Sequence, residues 1–147
     1  MRAGDVDHFA WVALDEAGGP VGEASHFRTP DGTDAEVNFW LPDDFQGRGL
    51  GTLLMGALAV AARRNGVTRF VADVLGENVR ARAMLDRAGP LWTPQGLGVA
   101  HAVATVPDPS RFGIPPQTAM ALEALVDAVV VCGSGWTSSR PPPPAGV

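Results

Sequence analysis

Lysine and tyrosine are both absent from the 147 residues, and cysteine occurs once, at Cys132. Without lysine the chain cannot form a Schiff base through its own side chain, and it cannot supply the lysine of a Walker A phosphate loop. A single thiol excludes an internal disulfide and offers no zinc-ligand spacing, which points to a cytosolic redox compartment. Long apolar runs are missing too: Glu123 and Asp127 interrupt the best candidate, and no charged-then-apolar leader follows Met1. No membrane association is expected, and the protein should be soluble and cytoplasmic. The net charge of −5 makes nucleic acid a poor partner. His8, His26 and His101 are scattered with no metal-ligand spacing, so no metal is expected and each is read as structural. Charged residues are only 18% against 46% hydrophobic, a balance that favours a packed core over disorder.

The charge that is present is unevenly spread. Residues 1–45 carry two arginines against ten carboxylates, whereas residues 46–90 carry seven arginines against three. A basic middle suits a phosphate-rich ligand, and an acidic first third suits a cationic partner. Along the chain, His8 to Leu14 and Val21 to Arg28 read as a hairpin about the turn Asp15 to Pro20. Ala35 to Leu41 reads as a third strand, stopped by Pro42. From Leu50 apolar residues recur at helical spacing until Asn65-Gly66. Val67 to Leu75 alternates as a strand, Asn78 to Ala88 is a second helix capped by Asn78, and Leu91 to Val106 is a hairpin around Pro94-Gln95-Gly96-Leu97-Gly98. Gln117 to Val131 reads as a short apolar helix. The implied fold class is α/β, an α+β mixed sheet flanked by helices. Three parts are expected: a domain over residues 1–106, an extension with a short helix over 107–132, and a disordered proline-rich tail over 133–147.

The loop Gln46-Gly47-Arg48-Gly49-Leu50-Gly51 lies between a strand and an amphipathic helix. That arrangement gathers backbone N–H groups and a helix N-terminus around one point, a ready site for a pyrophosphate. Glycine is needed because a Cβ would hold the anion away from the amides and because tight turns demand positive φ. Gly-x-Gly-x-x-Gly fails because Thr52 stands at the third glycine position, which disfavours a dinucleotide loop.

Gln46-x-x-Gly49-x-Gly51 resembles the acyl-CoA signature Gln/Arg-x-x-Gly-x-Gly/Ala of the GNAT superfamily of N-acetyltransferases, and Asn78-Val79-Arg80-Ala81 resembles its later Asn-x-x-Ala helix. The resemblance covers His8 to Val106 and implies the GNAT acyl-CoA N-acyltransferase fold with acetyl-CoA as cosubstrate. Within the superfamily, Ala35 to Phe39, Phe45 to Gly51, Gly56 to Arg63 and Arg69-Phe70 are similar to actinobacterial protein lysine acetyltransferases joined to a cyclic-nucleotide-binding domain. By that resemblance Gln46, Gly47, Arg48, Gly49, Leu50, Gly51 and Thr52 hold the pyrophosphate, and Phe39, Trp40 and Leu41 pair with pantetheine through backbone. Asn78 bonds pantetheine besides capping its helix, and Arg48, Arg80 and Arg82 reach the adenosine phosphates or serve as solvated surface arginines.

The acceptor is expected to be an amine, most simply a protein lysine. Its ε-amine titrates near 10.4, so a carboxylate must remove a proton before it attacks the thioester. Glu36, ten residues before Gln46 where relatives carry a strand glutamate, is the first candidate base, and Asp73 the second. A backbone N–H on Phe39 to Leu41 would stabilise the oxyanion. Where many relatives carry a tyrosine acid, seven residues after the asparagine, this chain has Leu85. A GNAT domain also usually opens with a strand and one or two helices before this hairpin. Their absence implies that another chain supplies them, that the chain is shortened, or that the Gln117 to Val131 helix partly covers the exposed sheet; exposed apolar sheet would favour a homo-oligomer. A small-molecule amine acetyltransferase and a non-catalytic acyl-CoA-binding module are the alternative readings.

Overall fold

The computed structural model describes residues 6–132. Six strands and three helices follow one another as β1 (His8–Leu14), β2 (Pro20–Arg28), β3 (Asp34–Trp40), α1 (Leu50–Arg64), β4 (Arg69–Leu75), α2 (Val79–Asp86), β5 (Leu91–Gly96), β6 (Val99–Thr105) and α3 (Pro116–Cys132). The mixed sheet runs in the order β1-β2-β3-β4-β6-β5, and among its neighbours only β3 and β4 are parallel. That pair requires a crossover, and α1 provides it.

Local chemistry sets the boundaries. Asp15 closes the first hairpin: its Oδ1 accepts from the amides of Ala17 at 3.0 Å and Gly19 at 2.8 Å. α1 ends where the Val67 amide bonds back to the Ala62 carbonyl at 2.9 Å, which consumes Val67 in the cap, so β4 begins at Arg69 and not at Val67. The third strand ends at Trp40, one residue short of Leu41. The second helix is shorter than Asn78 to Ala88, since Asn78 is its cap, with Oδ1 accepting from the Ala81 amide at 3.2 Å. In the last hairpin Pro94 lies inside β5 and the turn is Leu97-Gly98; β5 is an edge strand, where a missing N–H leaves no ladder bond unmade.

One face of the sheet packs on α1 and α2, where Ala24, Ala35, Phe70, Ala72 and Val74 meet Leu54, Met55, Leu58 and Leu85. The indole of Trp11 adds a hydrogen bond to the Ala57 carbonyl at 2.8 Å. α3 packs on α1 next to the sheet, through Val126 against Ala61 and against Phe9 of β1. Its outer turn is clamped by the Arg64 guanidinium, which donates to both oxygens of Asp127 at 2.8 and 2.6 Å. The Gln117 to Val131 helix therefore does not cover the open sheet face: it occupies the same side as α1, because its buried residues pair with the small-residue surface of that helix. The opposite face, with Val12, Glu36, Asp73, Leu75 and Leu91 exposed on it, carries no described element. The tail over 133–147 lies outside the described residues.

Candidate active site

Strands β3 and β4 are in register only from Asp34, Ala35 and Glu36 against Arg69, Phe70 and Val71. Beyond that point β3 stays with β2 as far as Trp40, and β4 stays with β6 as far as Leu75. The two parallel strands therefore part after Glu36 and Val71, and the facing edges of 37–40 and 72–75 are left without a ladder partner across the gap. Such edges present alternate N–H and C=O groups to whatever enters.

The chain leaves β3 through a short 3-10 turn at Asp43–Phe45 and enters α1 through the glycine loop. Gly47 and Gly49 have φ of 78° and 81°, the left-handed region that a side chain disfavours, and neither has a neighbouring atom within 4 Å of where a Cβ would stand. Gly51 is needed for a different reason: a Cβ there would lie 3.1 Å from Phe39 Cζ and 3.6 Å from Met84 Sδ, so the helix start fits closely between β3 and α2. The first bond into α1 runs from the Leu53 amide to the Gly49 carbonyl at 3.0 Å, leaving the amides of Leu50, Gly51 and Thr52 without an acceptor in the helix. No acidic side chain occupies that first turn. Three free N–H groups and the positive helix end thus face a loop kept clear of side chains by its glycines, which fits a diphosphate.

Gln46 does not aim at that space. Its Nε2 donates to the Leu41 carbonyl and to Asp43 Oδ1, both at 3.1 Å, and its Oε1 accepts from Arg80 on α2. The side chain thereby ties both signature segments together, a role its motif position alone did not reveal. The guanidinium of Arg48 lies over the Phe45 ring at 5.4 Å, and that of Arg82 over Trp92 at 4.9 Å. Trp92 is itself held by a bond from its Nε1 to Asp86 at 2.8 Å.

Glu36 stands at the vertex of the gap, exposed, on the sheet face away from α1, and accepts no hydrogen bond from a described residue. Asp73 lies two residues beyond the Val71 that faces Glu36, so the two carboxylates share one face. Its Oδ1 is 2.6 Å from Nδ1 of His101, its register partner on β6. Sequence reading missed this pair because the two residues are 28 apart and meet only through strand register. Leu85 is in the core with Met55 and Phe70, and supplies no acid. Among the described residues no three His, Cys, Asp or Glu side chains gather as a metal site, and no helix is long and apolar enough to cross a membrane.

Comparison with known proteins agrees with this geometry. Residues 2–89 match the model of the Acetyltransferase (GNAT) family. The acetyltransferase Pat of Mycolicibacterium smegmatis is 42% identical over 114 residues, which is 76% of this chain and 34% of that protein. A mycothiol acetyltransferase of Beutenbergia cavernae is 31% identical over 94 residues, 63% of this chain and 31% of that one. The chain thus spans about a third of the length of these curated relatives. Among solved structures, a cAMP-binding acyltransferase from Mycobacterium smegmatis superposes with a TM-score of 0.78 at 34% identity, covering 89% of this chain and 41% of that one. With its family model matched over residues 2–89 and its fold shared with that acyltransferase, the chain belongs to the Acetyltransferase (GNAT) family.

Proposed function

We propose that this chain transfers an acetyl group from acetyl-CoA to a primary amine, a protein lysine by preference, by direct attack. The observation that carries the reading is the gap between β3 and β4, which opens beside the free amides of α1 and has Glu36 at its vertex. The amides of Gly47 to Thr52 grip the diphosphate, with Gln46 and Arg80 holding the loop in shape. The free edge of Phe39 and Trp40, with Leu41 just past the strand end, lies along the pantetheine arm, and one of their N–H groups receives the oxyanion as the amine adds to the thioester. Asn78, at the start of α2, is within the same wall, while Arg82 contributes charge from its place over Trp92. Glu36, directly or through one water, takes the proton from the acceptor ammonium, and water protonates the leaving thiolate, whose solution pKa of about 8.5 makes that departure feasible.

A protein acceptor is favoured by the exposed setting of Glu36 on an open sheet face and by the acidic first third of the chain. The relative named Pat supports the same preference. Leu85 favours a second reading, an acyl-CoA-binding module without turnover. Incubation with acetyl-CoA and lysine-containing proteins, followed as acyl-lysine and free CoA, separates the two. Glu36→Gln should lower kcat/KM by roughly 100-fold or more while CoA affinity is kept. Equal turnover in that variant removes Glu36 from the mechanism, and CoA binding with no release in any amine screen leaves the binding module.

A further inference from the structure

Asp73 and His101 form a pair that the acyl-transfer scheme does not use. They face each other across β4 and β6, Oδ1 to Nδ1 at 2.6 Å, with the carboxylate side chain 66% exposed and the imidazole 31%. Asp73 belongs to the stretch of β4 that has already left β3, so its backbone lines the gap on the same sheet face as Glu36, while the bond to His101 draws Oδ1 towards β6. Two residues along a strand and one strand across put their Cα atoms about 8 Å apart or slightly more. Between them on the same face lies Val71, the register partner of Glu36. Asp73 Oδ2 accepts no hydrogen bond from a described residue, in contrast with Asp34, both of whose oxygens are taken by Arg69 at 2.8 Å.

We infer that Asp73 is the anchor for the acceptor's ammonium group and His101 the positioning residue that holds it, so that the acceptor class is a primary amine on an aliphatic stem. This rests on the acetyl-transfer reading above. An amine reaches the enzyme protonated, and the base cannot both anchor it and remain free to take its proton; a second carboxylate on the same sheet face separates those tasks. The free oxygen of Asp73 receives the cation, the bond from His101 fixes the carboxylate in one rotamer, and Val71 lies beneath the methylene stem. A guanidinium in place of His101 would cancel the charge with a permanent cation, whereas an imidazole orients the carboxylate through a single ring nitrogen.

The test is steady-state kinetics with a lysine peptide and acetyl-CoA, together with an NMR titration of the CoA-loaded protein with Nα-acetyl-lysine amide. Asp73→Asn should raise the acceptor KM about 10-fold or more and leave the acetyl-CoA KM unchanged. His101→Ala should raise the acceptor KM several-fold with kcat at saturating acceptor held within about two-fold, and His101→Asn, whose Nδ2 donor replaces Nδ1, should restore it. In the titration the amides of Asp73 and His101 should shift, and the shifts should vanish in Asp73→Asn. An acceptor KM unmoved by Asp73→Asn, or His101→Asn behaving as His101→Ala, overturns the assignment. Absence of turnover with every amine removes the acetyl-transfer reading alone, and the titration then decides: shifts elsewhere, or none, sink the anchor.

Discussion

His26 lies on β2 with no exposed surface, and among the described residues neither ring nitrogen has a hydrogen-bond partner. Its ring is stacked near Phe9 at a centroid distance of 6.1 Å. Burial, followed by the charges of Arg28 and His8, pushes its pKa down to about 4 from 6.5. The imidazole is therefore neutral in the folded protein across the physiological range. On acidification the unfolded chain takes its proton first, so stability is complete above pH 6.5 and is lost as pH falls towards 4, by about 3 kcal/mol in all. His26→Leu has similar bulk and nothing to titrate. Urea denaturation at pH 7 and pH 5 should show a clearly smaller loss of stability in this variant than in the parent, with carboxylate contributions common to both. An equal loss would show that His26 is not the group that titrates. The same residue illustrates what sequence can and cannot give: a lone histidine on a strand reads as structural, but its complete burial comes from packing that no local pattern around His26 records.

At the scale of elements, the small-residue surface of α1 sets how closely the segment after β6 can approach. Gly56 sits in the middle of that helix, where alanine would ordinarily add about 1 kcal/mol of helix propensity. Here a Cβ would meet Ile114 Cγ1 at 2.5 Å and Phe112 Cβ at 2.9 Å. Overpacking of that kind costs about 1–3 kcal/mol, and with backbone-side atoms this close the upper part of that range applies, so after the propensity gain Gly56→Ala should destabilise the protein by up to about 2 kcal/mol. Denaturant midpoints measure it, and Ile114→Ala in the same chain should cost less than it does alone, because the added methyl fills the space it vacates. A stabilised Gly56→Ala protein would mean that the 109–114 turn is not seated on α1. The helix itself was legible because its apolar positions repeat from Leu50 and its stop is written as Asn65-Gly66. The start of β4 was misplaced because Val67, an apolar β-branched residue, is consumed by the helix cap, and the last turn was misplaced because Pro94 is compatible with an edge strand. The glycine loop could be read as an anion cradle, since backbone freedom is encoded locally. The parting of β3 from β4 could not, because it is the absence of pairing between residues about 35 positions apart, and no local pattern records an absent pair.

For the molecule as a whole, the question is whether residues 107–132 are an appendage or part of the body. The family match ends at residue 89, and composition divides the chain near Pro107, so sequence favours an appendage. Packing points the other way. Phe112 is 3% exposed and lies in the main core cluster, Ile114 is 2% exposed against Gly56, and Val126 is fully buried between Ala61 and Phe9. Burying three such side chains is worth roughly 1.5–3 kcal/mol each, about 5–9 kcal/mol together before the entropy of ordering the segment. That is comparable with the whole stability of an ordinary domain, about 5–15 kcal/mol. The Arg64–Asp127 pair is half exposed and screened, so it orients α3 more than it holds it. The fragment 1–106 should therefore lack a cooperative thermal transition and bind a hydrophobic dye, even though it retains the glycine loop, Glu36 and the whole sheet. The described segment acts only on the α1 side, so CoA affinity in the intact chain should be insensitive to surface changes on α3. A fragment that melts cooperatively near the temperature of the intact protein would instead show that the sheet, α1 and α2 form a self-sufficient unit and that α3 is carried by it.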